Sequence, residues 1–174
     1  QNYKKKIWIA GNHDNFLRES KYSQLKSDFE YLCDSGTEFA GLKIWGIPWT
    51  RRFLGMNPKC MAFTYYDEEW YKDNVLSKIP NDTDILISHG PSWGLHDKNI
   101  DGEECGSKAL TTWCAEHVSS LKLFVCGHIH EAYGKYDMRK IQKELDSIVT
   151  PVFVNCSHVN EYYEPVNKPV RIIL

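Results

Sequence analysis

The chain has 174 residues, enough for one domain with a real core, and its 42% hydrophobic and 25% charged residues place it among ordinary globular proteins. A net charge of -2 argues against a binder of nucleic-acid duplex that relies on bulk positive charge. No apolar stretch approaches the length of a membrane span, and no signal-peptide pattern opens the chain.

The first residue is Gln1 rather than methionine, and a strand signal follows within a few residues. A processed or expressed fragment of something longer is therefore expected. The only basic run, Lys4-Lys5-Lys6, leads into that strand and reads as its solvated entrance. The six cysteines, Cys33, Cys60, Cys105, Cys114, Cys126 and Cys156, show no C-x-x-C pair and no regular spacing. Neither a zinc finger nor a redox pair is expected, and a reduced, cytoplasmic chain is the simplest account.

"KKIWIA" reads as a buried strand that ends at Gly11. Residues 15–29 are polar with scattered apolar positions, a helix or a mobile loop. "YLCDSGTEFAGLKIWGIPW" alternates apolar runs with the turn chemistry of Asp34-Ser35-Gly36 and Ala40-Gly41, and Pro48 ends the last run. Residues 51–66 carry Arg51, Arg52, Gly55 and Pro58 with no clear period, and read as an excursion loop. Residues 67–78 have helix composition, with Asp67 as N-cap and acids in the first turn. Pro80 stops this helix. "DILIS" at 84–88 is the next strand, a second long loop follows, and a helix is expected near 108–118. Residues 121–126 form a strand, 138–147 a charged helical insertion, and "VFVNCS" and "VRIIL" the closing strands. Strands that alternate with helices and then follow one another predict an α/β fold with a mixed sheet flanked by helices.

Three apolar runs end alike. "IWIA" is followed by Gly11-Asn12-His13-Asp14, "ILIS" by His89-Gly90-Pro91, and "LFVC" by Gly127-His128-Ile129-His130. Parallel strands of one sheet put their C-terminal ends on one edge, where an α/β fold gathers its chemistry. Four imidazoles and one carboxamide are expected to meet there. Converging imidazoles are costly unless something holds them, and a metal ion does. Imidazoles with one amide oxygen and no thiolate suit a catalytic Mn, Fe or Zn site better than a closed structural zinc. Such a site hydrolyses phosphoesters when a second ion helps to clamp the phosphoryl group and one free histidine protonates the leaving oxygen.

These junctions resemble the last three signature motifs of the calcineurin-like metallophosphoesterases, G-N-H-[DE], strand-H-G and G-H-x-H. "YLCDSGTEFAGLKIWGIPWT", "IPNDTDILISHGPSWG" and "GHIHEAYG" are similar to the metallophosphoesterase-domain-containing subgroup, known for cyclic-nucleotide phosphodiesterase activity. The resemblance covers nearly all of the chain except residues 138–147. It implies one domain over 1–174, the C-terminal portion of a four-layer metallophosphoesterase sandwich. It implies hydrolysis of small phosphoesters, cyclic nucleotides among them, by a water activated between two divalent transition ions. Asn12, His89 and His128 would bind one ion and His130 the other. His13 would be the general acid and Asp14 its orienting partner. In part of the subgroup a glycine replaces the first histidine of G-H-x-H; here His128 is present. The family's first two motifs, D-x-H and G-D-x-x-D, are missing, so the expected site is incomplete until an upstream segment of the parent protein, or a second chain, supplies them. The rival reading is a catalytically incomplete module that binds or scaffolds.

Other residues carry weaker signals. The loop pair His96-Asp97 should border the cleft, with a solvated loop as the plainer account. Trp49, Arg51 and Arg52 follow a strand end, and an arginine there suits a phosphate oxygen, with a surface salt bridge as the plainer account. His117 reads as a satisfied helix residue, Asn155 as a strand-end polar residue, and His158 as a neighbour of the site.

Overall fold

Strands that are apolar on both faces need cover on both sides, and four of them form the middle of the main sheet. The computed structural model describes residues 3–19, 28–53, 55–137 and 151–174. In chain order the elements are β1 (Ile7–Ile9), α1 (Asn15–Glu19), β2 (Glu30–Leu32), β3 (Ser35–Phe39), β4 (Leu42–Ile47), β5 (Thr50–Arg51), β6 (Thr64–Tyr65), α2 (Glu68–Asn74), a 3-10 turn (Leu76–Lys78), β7 (Ile85–Ser88), α3 (Lys108–Glu116), β8 (Leu123–Cys126), a second 3-10 turn (His130–Ala132), β9 (Gly134–Asp137) and β10 (Val152–Asn155).

The main sheet has the order β3-β4-β7-β8-β10-β9. β4, β7, β8 and β10 run parallel, and β3 and β9 close the two edges antiparallel. Side chains alternate across the central strands. Leu86, Phe124, Cys126 and Phe153 enter one core with Tyr71 from α2, Val75 just past its end, and Leu110 and Trp113 from α3. Leu123, Val152 and Val154 face the other way, against Ile85, Val125, Val170 and Ile172. The four parallel strands therefore deliver Ile47, Ser88, Cys126 and Asn155 to one rim.

The two packed helices start where their caps dictate. Asp67 accepts from the N–H groups of Glu69 and Trp70 at the start of α2, as its residue type predicts. α2 ends at Asn74, and the 3-10 turn carries the chain on to Lys78. Ser107 Oγ accepts from Leu110 N–H and caps α3. Glu68 of α2 reaches across and accepts from Ser107 Oγ at 2.7 Å and Ala109 N–H at 3.0 Å. One carboxylate thus sits at the positive end of α3 and ties the two helices together.

Four expectations need correcting or completing. β1 is not a neighbour of β7 and β8; it pairs with β2 in a separate two-stranded parallel sheet. The hairpin of β3 and β4, turned through Ala40 and Gly41 at positive φ, takes the place beside β4 first. "VRIIL" is not a strand: residues 170–174 lie outside any ladder, and Val170 and Ile172 satisfy their alternation by packing across the sheet face. β9 was not anticipated. The loop of 51–66 is pinned at both ends by the parallel pair β5 and β6. Residues 20–27 of the expected segment 15–29, and the expected helix 138–147, lie outside the described residues.

The small sheet reaches the rim because β4 has no side chain at Gly46. A Cβ there would lie 2.4 Å from Leu32 Cβ and 2.8 Å from Ile9 Cγ2. Gly46→Ala is expected to overpack this layer and cost about 1–3 kcal/mol, read as a lowered urea midpoint at unchanged slope.

Candidate metal centre

β1 ends at Ile9, and Ala10-Gly11 carries the chain over the rim of the main sheet to Asn12. Gly11 is there for close approach: a Cβ would lie 2.4–2.8 Å from the ring atoms of His89. Asn12 is buried. Its Nδ2 donates to the Cys60 carbonyl at 3.1 Å, and its own carbonyl accepts from Ala62 N–H at 3.1 Å. With its amide nitrogen so engaged, Oδ1 faces the imidazoles. His89 Nε2 lies 2.7 Å from that oxygen and His128 Nδ1 lies 3.1 Å from it. The two rings stand 4.8 Å apart between centroids, inclined at 60°.

The backbone holds both histidines in register. His89 N–H donates to the Ile47 carbonyl, and the His89 carbonyl accepts from Gly127 N–H at 3.1 Å, so the sheet's bonding extends one step past the strand ends. His128 then turns sharply. Its φ is +70°, and Ile129 N–H donates to the Gly127 carbonyl at 2.8 Å across it. This three-residue turn is a strained conformation for a side-chain-bearing residue, costing of order 1–3 kcal/mol, and strain of this kind gathers at functional sites.

Burial, and then the charges of neighbouring imidazoles, hold the two rings neutral. His89 is pushed down to about 3 by burial and by His128, His13 and His130, in that order. His128 is pushed down to about 4 by burial, His130 and His13. A neutral imidazole is the form that ligates. Three donor atoms, Asn12 Oδ1, His89 Nε2 and His128 Nδ1, therefore converge with the protonation state that a divalent ion requires, and they fit one such ion. Without Asn12 the group would be too small: among the described residues no three His, Cys, Asp or Glu side chains gather into an ion site.

Of the remaining motif residues, His13 and His130 line the same cleft of about 800 Å³. His13 is exposed, and its Nδ1 lies 3.4 Å from Cys60 Sγ. The Asp14 carboxylate accepts from Gly11 N–H at 2.7 Å and closes the turn that carries Asn12 and His13. His130 Nδ1 donates to the Asn160 carbonyl at 3.2 Å, with Tyr163 edge-on to its ring. That bond commits Nδ1 to the backbone. Arg51 comes in from the end of β5, Phe53 and Met56 from the loop after it, and His158 from the segment after β10.

Several weaker candidates sort out clearly. Arg52 stacks on Tyr66, and Trp49 Nε1 donates to the Asp34 carboxylate; of these three only Arg51 lines the cleft. Asp97 is buried and accepts from Gly94 and Gly106 N–H, so it organises its own loop. The His96 carbonyl accepts from Asn155 Nδ2. Asn155 also donates to the Ile129 carbonyl and accepts from Ser157, and so pins the segment behind His128 and His130. His117 lies within hydrogen-bonding distance of the Trp113 carbonyl through Nδ1 and of the Asn81 side chain through Nε2, away from the cleft. Sequence reasoning missed Cys60 and Asn160. Both sit in loops without periodicity, and their contacts here are made by long-range folding.

Residues 1–132 match the family model of the calcineurin-like phosphoesterases. The chain is 30% identical over 206 residues to Metallophosphoesterase domain-containing protein 1 of Homo sapiens, an alignment covering 99% of this chain and 56% of the relative. The Mus musculus protein of that name gives the same figures. A UPF0046 protein of Caenorhabditis elegans is 31% identical over 156 residues, with 76% of this chain and 52% of the relative covered. The chain thus spans about half the length of the curated relatives it matches. One solved crystal structure shares the fold, at a TM-score of 0.50 and 15% identity over 74% of this chain and 46% of that one.

The neutral pair has a measurable consequence. Unfolded histidine titrates near 6.5, whereas folded His89 and His128 titrate near 3 and 4. Below about pH 6.5 the unfolded chain binds protons that the folded chain refuses, so stability falls as pH falls toward 4. Each site adds up to about 1.4 kcal/mol per pH unit to that slope. Urea unfolding of metal-free protein between about pH 6.5 and about pH 4.5 should show it, and His89→Asn combined with His128→Asn should flatten it.

Proposed function

The chain belongs to the calcineurin-like phosphoesterase family, and we propose that it supplies part of the centre of a metal-dependent phosphodiesterase acting on small substrates such as cyclic nucleotides. The observation that carries this reading is the meeting of Asn12 Oδ1, His89 Nε2 and His128 Nδ1 at one point, with both imidazoles held neutral.

Asn12, His89 and His128 would hold one divalent ion and His130 would contribute to a second. An all-nitrogen-and-oxygen set without thiolate favours Mn, Fe or Zn. When bound, such ions polarise a phosphoryl oxygen and make water a nucleophile at neutral pH. The chain's own residues do the rest. His13, exposed at the cleft, delivers a proton to the leaving oxygen. Asp14 positions it by closing the Gly11–Asp14 turn rather than by touching its ring. Arg51 lines the cleft and pairs with no carboxylate among the described residues, which leaves its guanidinium for a phosphate oxygen. A cytoplasmic setting is part of this proposal.

The donor count limits what these residues do unaided. They bring three donors to one ion and a lone histidine toward another. We infer that further ligands come from beyond them, from the parent protein or a second chain. The same count favours the second reading, a phosphoesterase-like module that binds without catalysis.

Hydrolysis of a cyclic nucleotide and of a p-nitrophenyl phosphodiester by the full-length protein decides between them. His89→Ala is expected to remove at least 100-fold of the activity and one ion of the metal content. Gly11→Ala should do nearly the same while keeping the circular dichroism of the fold, because its methyl group displaces His89. A full-length protein that binds no transition ion and turns over neither substrate leaves only the binding module. Arg51→Ala should raise KM about tenfold with kcat little changed.

A further inference from the structure

Cys60 lies in the loop between β5 and β6, far in sequence from the Gly11–Asp14 turn, yet it touches both residues at that turn's centre. Its carbonyl accepts from Asn12 Nδ2 at 3.1 Å, and its sulfur lies 3.4 Å from His13 Nδ1. The side chain is buried, whereas His13 is exposed. The backbone around it is fastened, with Cys60 N–H donating to the Asn57 carbonyl and Ala62 N–H to the Asn12 carbonyl. A fixed sulfur thus faces one nitrogen of an otherwise open imidazole.

We propose that Cys60 is the positioning residue of His13: its sulfur accepts the Nδ1 hydrogen, which turns Nε2 into the atom that serves the leaving group. This rests on the phosphodiesterase reading of the cleft. Asp14 does not fill the role directly: its Oδ2 accepts from Gly11 N–H, and among the described residues the His13 ring meets Cys60 rather than this carboxylate. A thiol is a weak acceptor, but it is neutral and compact. It holds the ring without placing a negative charge beside the nitrogen that must give up a proton.

The step balances simply. As the water oxygen bonds to phosphorus, the bond from phosphorus to the leaving oxygen breaks. The Nε2 proton passes to that oxygen, and the attacking water loses a proton to solvent. Nδ1 keeps its hydrogen on Cys60 Sγ throughout, and Nε2 is reprotonated from solvent.

Such a role depends on the leaving group. An alkyl oxygen needs the proton as it departs, and a p-nitrophenyl oxygen does not. In the full-length protein, Cys60→Ala is expected to lower kcat at least tenfold on a phosphodiester with an alkyl leaving group. It should change kcat less than about twofold on the p-nitrophenyl diester, and Cys60→Ser, whose hydroxyl also accepts, should restore most of the loss. His13→Ala should show the same selectivity more strongly. If Cys60→Ala slows both substrates equally, the residue acts only through Asn12 or packing, and the proposal is overturned. If His13→Ala is unselective as well, the acid assignment falls with it.

A second measurement does not need turnover. Nitrogen-15 spectra of the metal-free full-length protein should show neutral His13 as the Nδ1–H tautomer, shifting toward Nε2–H in Cys60→Ala. A wild-type His13 already in the Nε2–H form overturns the sulfur contact even if hydrolysis is confirmed. The predicted shift in a protein that hydrolyses neither diester upholds the contact and discards the phosphodiesterase reading.

Discussion

A single carboxamide oxygen, Asn12 Oδ1, organises the cleft. It faces an imidazole nitrogen from each of two neighbouring strands of the main sheet, while Asn12 itself arrives from a different sheet. Its partner nitrogen is already committed to the Cys60 carbonyl. The amide therefore has one satisfactory orientation. Three segments that are distant in sequence, near residues 12, 89 and 128, are fixed relative to one another by that orientation.

Holding them there requires concessions elsewhere in the fold. Gly11 and Gly46 give up their side chains so that the small sheet can lie against β4 and its loop against His89. His128 accepts a backbone angle that side chains rarely adopt. Two imidazoles are kept neutral at acid pH values where water would have let them take up protons. Each is unfavourable alone, and each is tolerated because the rigid parallel centre of the main sheet over-determines the positions of residues 89 and 127. Asn155, fully buried one strand further along, adds support by bonding the carbonyls of His96 and Ile129. The strain sits where two ladders end, and the ladders themselves stay regular.

Much of this was legible in the sequence because it is local. A short apolar run followed by glycine and histidine marks the end of a buried strand with chemistry attached, and three such ends were visible. Asp67 announced its helix because a cap acts over two or three residues. What could not be read was long-range. Nothing in "KKIWIA" says that β1 leaves the main sheet; that follows from the β3–β4 hairpin occupying the vacancy and from a missing Cβ at Gly46. "VRIIL" has the alternation of a strand, yet alternation reports only which residues are buried, and packing flat across a face satisfies it as well as a ladder does. Cys60 had no signal at all, because its place beside His13 is set by the pairing of two-residue strands at either end of its loop.

The donor set has one more implication on the proposed reading. Asn12, His89 and His128 are all neutral, so a divalent ion among them would keep its full charge in a partly buried place. Neutral dipoles alone offset the desolvation of a dication poorly. Two of the acids around the cleft are occupied: Glu131 accepts from Ile100 N–H, and Glu103 from the Asn99 side chain, so both brace the loop at the rim, which Glu104 and Glu161 also line. On that reading, compensation comes from the other carboxylates of the cleft, from further ligands or from the substrate itself. A centre in which the phosphate supplies part of the missing negative charge binds its anionic substrate and its ion cooperatively, each improving the site for the other.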